Sequence, residues 1–103
     1  MKTFTRMAAQ GDFLILRIDT IPTNVEIIDK NERNQIVVAH SETGHDHVMV
    51  ADRVTAYKTA GTKEIDLYEM FLLVEAPTEI KHLRSFDTHE TILVPPGNYT
   101  VRR

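Results

Sequence analysis

Ile65-Asp66-Leu67-Tyr68-Glu69-Met70-Phe71-Leu72-Leu73-Val74-Glu75-Ala76-Pro77 is the stretch that decides the fold. Ile65, Tyr68 and Leu72, with Met70, Phe71 and Val74, fall at helical spacing. Met70 to Val74 reads equally well as a fully buried strand ended by Pro77. Periodicity alone does not separate the two for so short an apolar run. The reading adopted is strand, which makes the chain all-β; one short helix near 63–75 is the alternative.

The segments on either side carry the same signature. Phe13-Leu14-Ile15-Leu16-Arg17-Ile18 is apolar on both faces except at Arg17, as a buried strand would be. Val25 to Ile28, Gln35 to His40, His45 to Val50, Arg53 to Tyr57, Glu90 to Val94 and Tyr99 to Arg102 follow as short strands, and Thr78 to Leu83 could continue the sheet. The connections are rich in turn residues: Asp29 to Asn34, Ser41 to Gly44, Thr59 to Lys63, and Pro95-Pro96-Gly97-Asn98. The composition agrees, with 9 Val, 9 Ile and 12 Thr against 7 Leu. β-Branched side chains lose rotamer freedom in helices and pack well on a pleated surface. About seven to eight short strands with frequent turns predict a small antiparallel barrel or sandwich. The 103 residues suffice for one β-rich domain spanning 1–103, with 1–9 expected to be flexible.

Composition removes several function classes. With no cysteine there are no disulfides, thiol nucleophiles, iron–sulfur clusters or cysteine-type zinc fingers. Twelve Lys and Arg against fifteen Asp and Glu argue against nucleic-acid binding. The aromatic residues fall mostly in predicted strands, where core packing is their expected role. No apolar run approaches a membrane span and Met1 to Ala9 lacks the core of a signal peptide, so a cytoplasmic, membrane-free protein is expected.

What composition leaves is histidine. Five are present, and His40, His45 and His47 fall within Val38-Ala39-His40-Ser41-Glu42-Thr43-Gly44-His45-Asp46-His47-Val48. On a strand, His45 and His47 share a face, because side chains alternate with period two. Two such imidazoles can bind one metal ion, with bonds of about 2.0–2.1 Å. His40 could face them across the hairpin. His82 and His89, with Asp87 between them, sit near the last hairpin and could complete a three- or four-coordinate site. Glu42 and Asp46 could orient an imidazole through its second nitrogen. The ions such a set suits are zinc, manganese, nickel or iron, and no organic cofactor is implied. A Ser41–His45–Asp46 triad is disfavoured, since near-adjacent residues seldom orient one another for proton transfer. No phosphate-binding loop, dinucleotide fingerprint or HExxH motif is present.

Two resemblances follow from these residues. His45-Asp46-His47 with Asp52 after it resembles the first motif of the cupins, small β-barrels that bind a divalent metal; that family commonly has Glu where Asp52 stands. Pro95-Pro96-Gly97 is similar to the cupins' second turn, but Thr100 occupies the position of its histidine. More of the chain is covered by a second likeness. Gln10-Gly11-Asp12, Thr43-Gly44-His45-Asp46-His47 and Gly97-Asn98-Tyr99-Thr100-Val101-Arg102-Arg103 resemble segments of small uncharacterised bacterial and phage-encoded proteins, a likeness that implies no activity.

Two functions of different class are therefore expected. One is a β-domain with a histidine-based divalent-metal site at His45 and His47, joined by His40, His82 or His89. The other is a non-enzymatic interaction or structural module, homo-oligomeric through an exposed strand edge or bound to a protein partner, with its histidines at the surface. Neither names a reaction. The lack of a recognisable general base, substrate pocket or cofactor motif weighs against catalysis. Protonating all five histidines would carry the formal charge from −3 to +2, so below about pH 6.5 the surface would change sign.

Overall fold

The computed structural model describes residues 2–3, 7–10, 13–39, 47–62, 69–82 and 92–102. They form eleven strands and one turn of 3-10 helix, Ala51–Arg53. In chain order the strands are β1 (Lys2–Thr3), β2 (Met7–Gln10), β3 (Phe13–Ile18), β4 (Val25–Ile28), β5 (Gln35–Ala39) and β6 (His47–Val50), then β7 (Val54–Thr59), β8 (Glu69–Val74), β9 (Thr78–His82), β10 (Ile92–Val94) and β11 (Gly97–Arg102). The stretch that decides the fold is strand over Glu69–Val74, which makes the domain all-β; residues 63–68 of the alternative helix lie outside the described residues.

β8 is strand because both of its edges are occupied. Val101, Thr100 and Tyr99 of β11 pair with Met70, Phe71 and Leu72 on one side, and Ala56 and Tyr57 of β7 pair with Leu72 and Phe71 on the other. A strand between two ladders has no solvated edge, and its run of apolar residues serves both faces. Met70, Leu72 and Val74 turn inward to the core.

Two sheets result, of order β2-β3-β11-β8-β7-β4 and β1-β10-β9-β6-β5. Every neighbouring pair is antiparallel except β1 with β10, which is parallel. The sheets face one another without closing into a barrel, so of the two architectures expected the chain adopts the sandwich. The strand number exceeds the expected seven to eight. Lys2–Thr3 and Met7–Gln10 each add a strand near the N-terminus, where 1–9 was expected to be flexible, and Thr78–His82 takes a ladder position of its own. One core cluster joins the layers: Ile15, Val54, Leu72, Tyr99 and Val101 from the six-stranded sheet meet Ile36, Val38, Met49, Ile80 and Val94 from the other. Among the described residues no helix is long and apolar enough to cross a membrane.

The register gives the sandwich two distinct ends. One gathers Val50 opposite Gln35, Val54 opposite Val74, Gly97 opposite Val74 and Val94 opposite Thr78. There the chain crosses between the sheets through 51–53, 75–77 and 95–96. The other end gathers Ala39, His47 and His82 from one sheet, and Glu69, Arg102 and Leu14 from the other.

Candidate functional site

His47 opens β6, two residues before Met49, whose side chain lies in the core. The alternation of strand side chains therefore turns His47 inward too, and it is only 3% exposed. A buried imidazole is uncommon unless its nitrogens are satisfied, and His47 is not without a partner. Its backbone stands opposite His82 of β9 on one side and Ala39 of β5 on the other. The ladder shifts register between Val37 and Ala39, just before His40. Such bulges bend a strand and re-aim the residues beside it.

Chain connectivity extends this grouping. Residues 40–46 join the end of β5 to the start of β6, and 83–91 join the end of β9 to the start of β10. All four strand ends belong to the same end of the five-stranded sheet. His47 and His82 lie on two of these strand ends, and in chain order His40 and His45 fall within 40–46 and His89 within 83–91. His40, His45, His89, Ser41, Glu42, Asp46 and Asp87 lie outside the described residues, and of His82 only the backbone is described. Among the described residues no group of three or more His, Asp or Glu side chains is arranged to hold a metal ion.

The cupin-like assignments of Asp52 and of the Pro-Gly turn are separated from the histidines by the length of a strand. Asp52 lies in the 3-10 turn at the opposite end, where the Asn34 side-chain amide donates to its Oδ1 at 2.6 Å. Pro96 and Gly97 lie at that same opposite end. Thr100 alternates with the inward-facing Tyr99 and Val101, so it belongs to the outer face; its Oγ1 donates to Glu69 Oε2 at 2.8 Å. Arg102 Nε donates to the same oxygen at 2.9 Å. Glu69, Thr100 and Arg102 escape a reading of the sequence because only the β8–β11 register brings them together. The single local signal is a carboxylate at the head of an apolar run.

The end away from the histidines is fastened by Tyr99 and Arg17. The Tyr99 ring is fully buried, and its hydroxyl donates to the Pro95 carbonyl at 2.6 Å. Arg17 donates to the Tyr99 oxygen at 2.9 Å and to the Pro96 carbonyl at 3.2 Å, with its guanidinium carbon 5.1 Å from the ring centroid. Burial pushes the Tyr99 pKa above its ordinary value, and the nearby Arg17 charge partly offsets this. Position 97 favours glycine because φ is +154°, where other residues are strained; a Cβ there would also displace the Arg17 guanidinium, the movable end of a long side chain. This cluster shapes a turn and anchors the core.

Fold and site together define an all-β, two-sheet sandwich with His47 and His82 in register at one end. The chain matches the family described as Domain of unknown function (DUF8820) over residues 9–103, and it belongs to that family. No curated protein and no solved structure matches it.

Proposed function

We propose that this domain binds a divalent metal ion at the histidine end of the sandwich. His47 is the interior ligand, and His82, His40, His45 and His89 are the pool from which the others come. The observation that supports the reading is the inward, buried position of His47 in register with His82. Directly opposed residues of an antiparallel pair have Cα atoms about 4.5–5.5 Å apart, a spacing from which two imidazoles can reach one ion. The absence of cysteine leaves imidazole and carboxylate as the side chains able to serve. Zinc, manganese, nickel and iron all suit such donors, and no organic cofactor enters the proposal.

Untagged protein, metal-analysed after purification and then titrated with Zn²⁺, Mn²⁺ or Ni²⁺, tests the reading. Binding should stabilise the folded state by mass-action linkage, by about 2.7 kcal/mol at a hundredfold excess over Kd, and so raise the melting temperature. The rise should fade below about pH 6 as imidazoles protonate, and His47→Ala should remove it. Less than about 0.2 metal per chain, with a melting temperature indifferent to all three ions, would end the proposal, since a bound ion must stabilise the folded state. The exposed edge of β4 favours a second reading, an interaction module without a metal, and that same null result would leave it standing.

A further inference from the structure

We propose that β4 is a self-association edge, on which two copies of this chain pair β4 against β4 in antiparallel fashion and join their six-stranded sheets into one. Among the described residues β4 ends its sheet and is bonded only to β7. The Ala60 N–H donates to the Asn24 carbonyl at 2.9 Å, which fixes the phase of that ladder. Positions 24, 26 and 28 turn their backbone groups toward β7, and Val25, Ile27 and Asp29 turn theirs outward. The outward edge is open: Glu26, Asp29 and Lys30 are exposed, and Ile27 is 64% exposed.

The neighbouring edge on the same flank is treated differently. At the start of β5, the Gln35 N–H donates to Asn31 Oδ1 at 3.0 Å and its carbonyl accepts the Asn31 N–H at 2.9 Å. Those outward groups are therefore already occupied. β4 has no such cover among the described residues, and its sequence, Val25-Glu26-Ile27-Ile28, holds no proline, bulge or lysine to deter pairing. Its one charge, Glu26, accepts the Gly61 N–H on its own chain.

The charge pattern names the occupant. An antiparallel pairing centred on Ile28 sets Ile27 opposite the partner's Asp29, so that outward N–H and C=O groups meet. The same register sets Glu26 opposite the partner's Lys30, and two-fold symmetry makes that ion pair twice. Moving the centre to Glu26 would oppose the two Glu26 carboxylates, and centring on Ile27 would set Glu26, Asp29 and Lys30 opposite the uncharged Ile28, Val25 and Asn24. An edge carrying an acid and a base at equal distances from Ile28 is complementary to itself. The contact is small, so the dimer is weak, with Kd on the order of 10–500 µM.

Sedimentation of the full chain from about 1 to 500 µM, with EDTA present to keep metal loading out of the result, spans that range. The mass should climb with concentration from 11.8 kDa toward twice that value. Lys30→Glu should weaken association at least about tenfold by opposing like charges, and Glu26→Lys with Lys30→Glu should restore it to within about threefold. Ile27→Pro should abolish association yet leave the monomer's circular dichroism unchanged, because the N–H it removes is not in the β7 ladder. Lys30→Glu, an exposed position outside that ladder, decides the matter alone if the proline variant does not fold. A chain of 11.8 kDa at every concentration, or a dimer indifferent to Lys30→Glu, overturns the proposal.

Discussion

At one end of the sandwich the chain passes between sheets in two or three residues, through 51–53, 75–77 and 95–96, and Tyr99 and Arg17 bind the last of these turns to the core. At the other end, 40–46 and 83–91 join strands by longer routes and, with His47 and His82, carry all five histidines. Short turns with fixed backbone demands hold the layers in place. Longer polar connections on a rigid scaffold are where binding groups can vary without disturbing it. On the proposed function, the groups that bind metal and the contacts that hold the layers would lie at opposite ends of the strands.

Substitutions at the two ends should separate in the same way. The largest effect expected is that of Tyr99→Ala, which empties a fully buried aromatic site and should cost about 3–5 kcal/mol in urea unfolding. His47→Ala without metal should cost less, and an equal cost would erase the distinction between the ends. Gly97→Ala comes next, at about 1–3 kcal/mol, since its φ of +154° excludes a side chain comfortably. Part of that cost should vanish when Arg17 is also Ala, because the collision with the guanidinium is then gone; an unchanged cost would place all the strain in the backbone.

Tyr99→Phe keeps the packing and removes one buried hydrogen bond, for a loss of about 1 kcal/mol near neutral pH. It also changes the alkaline limb. Burial holds the phenolic proton in the folded state beyond the ordinary value of 10.0. The associated stability is complete below that pH and is lost as pH rises through the folded-state value. Wild type should therefore weaken more steeply than Tyr99→Phe above pH 10, and parallel curves would refute the assignment. Asn34→Gly is the smallest change, within about 0.5 kcal/mol: it relieves a left-handed φ of 59° but gives up the bond to Asp52.

Much of this sandwich was legible from local pattern. Phe13–Ile18 and Val25–Ile28 match their expected bounds, and β-branched runs marked β5, β6, β7 and β10 to within a few residues. What was not legible depends on partners distant in sequence. Met7-Ala8-Ala9-Gln10 has little strand propensity of its own and is strand because it lies along β3, with Ala8 opposite Ile15. Gly97 and Asn98 read as turn residues, yet they begin β11, since Gly97 lets Arg17 reach across to the Pro96 carbonyl. The histidine end was half legible. The sequence carries the cluster and the likeness of His45-Asp46-His47 to a metal-binding motif, but the pairing of His47 with His82 spans 35 positions and belongs to the register alone.

The place of β11 bears on how the protein is made. Of the eleven strands it leaves the ribosome last, yet it sits in the middle of its sheet, between β3 and β8. Until it emerges, that sheet exists only as two fragments, β2-β3 and β8-β7-β4, and two strands that will become interior stand as open edges. Tyr99 and Val101 reach the core with it. Folding must therefore conclude after synthesis of this segment rather than alongside it, and the nascent chain passes through a stage in which it is most open to mispairing and to chaperones. The same arrangement makes 95–96 a natural point of division: a peptide carrying Gly97–Arg102 would supply the strand that joins those two fragments into one sheet.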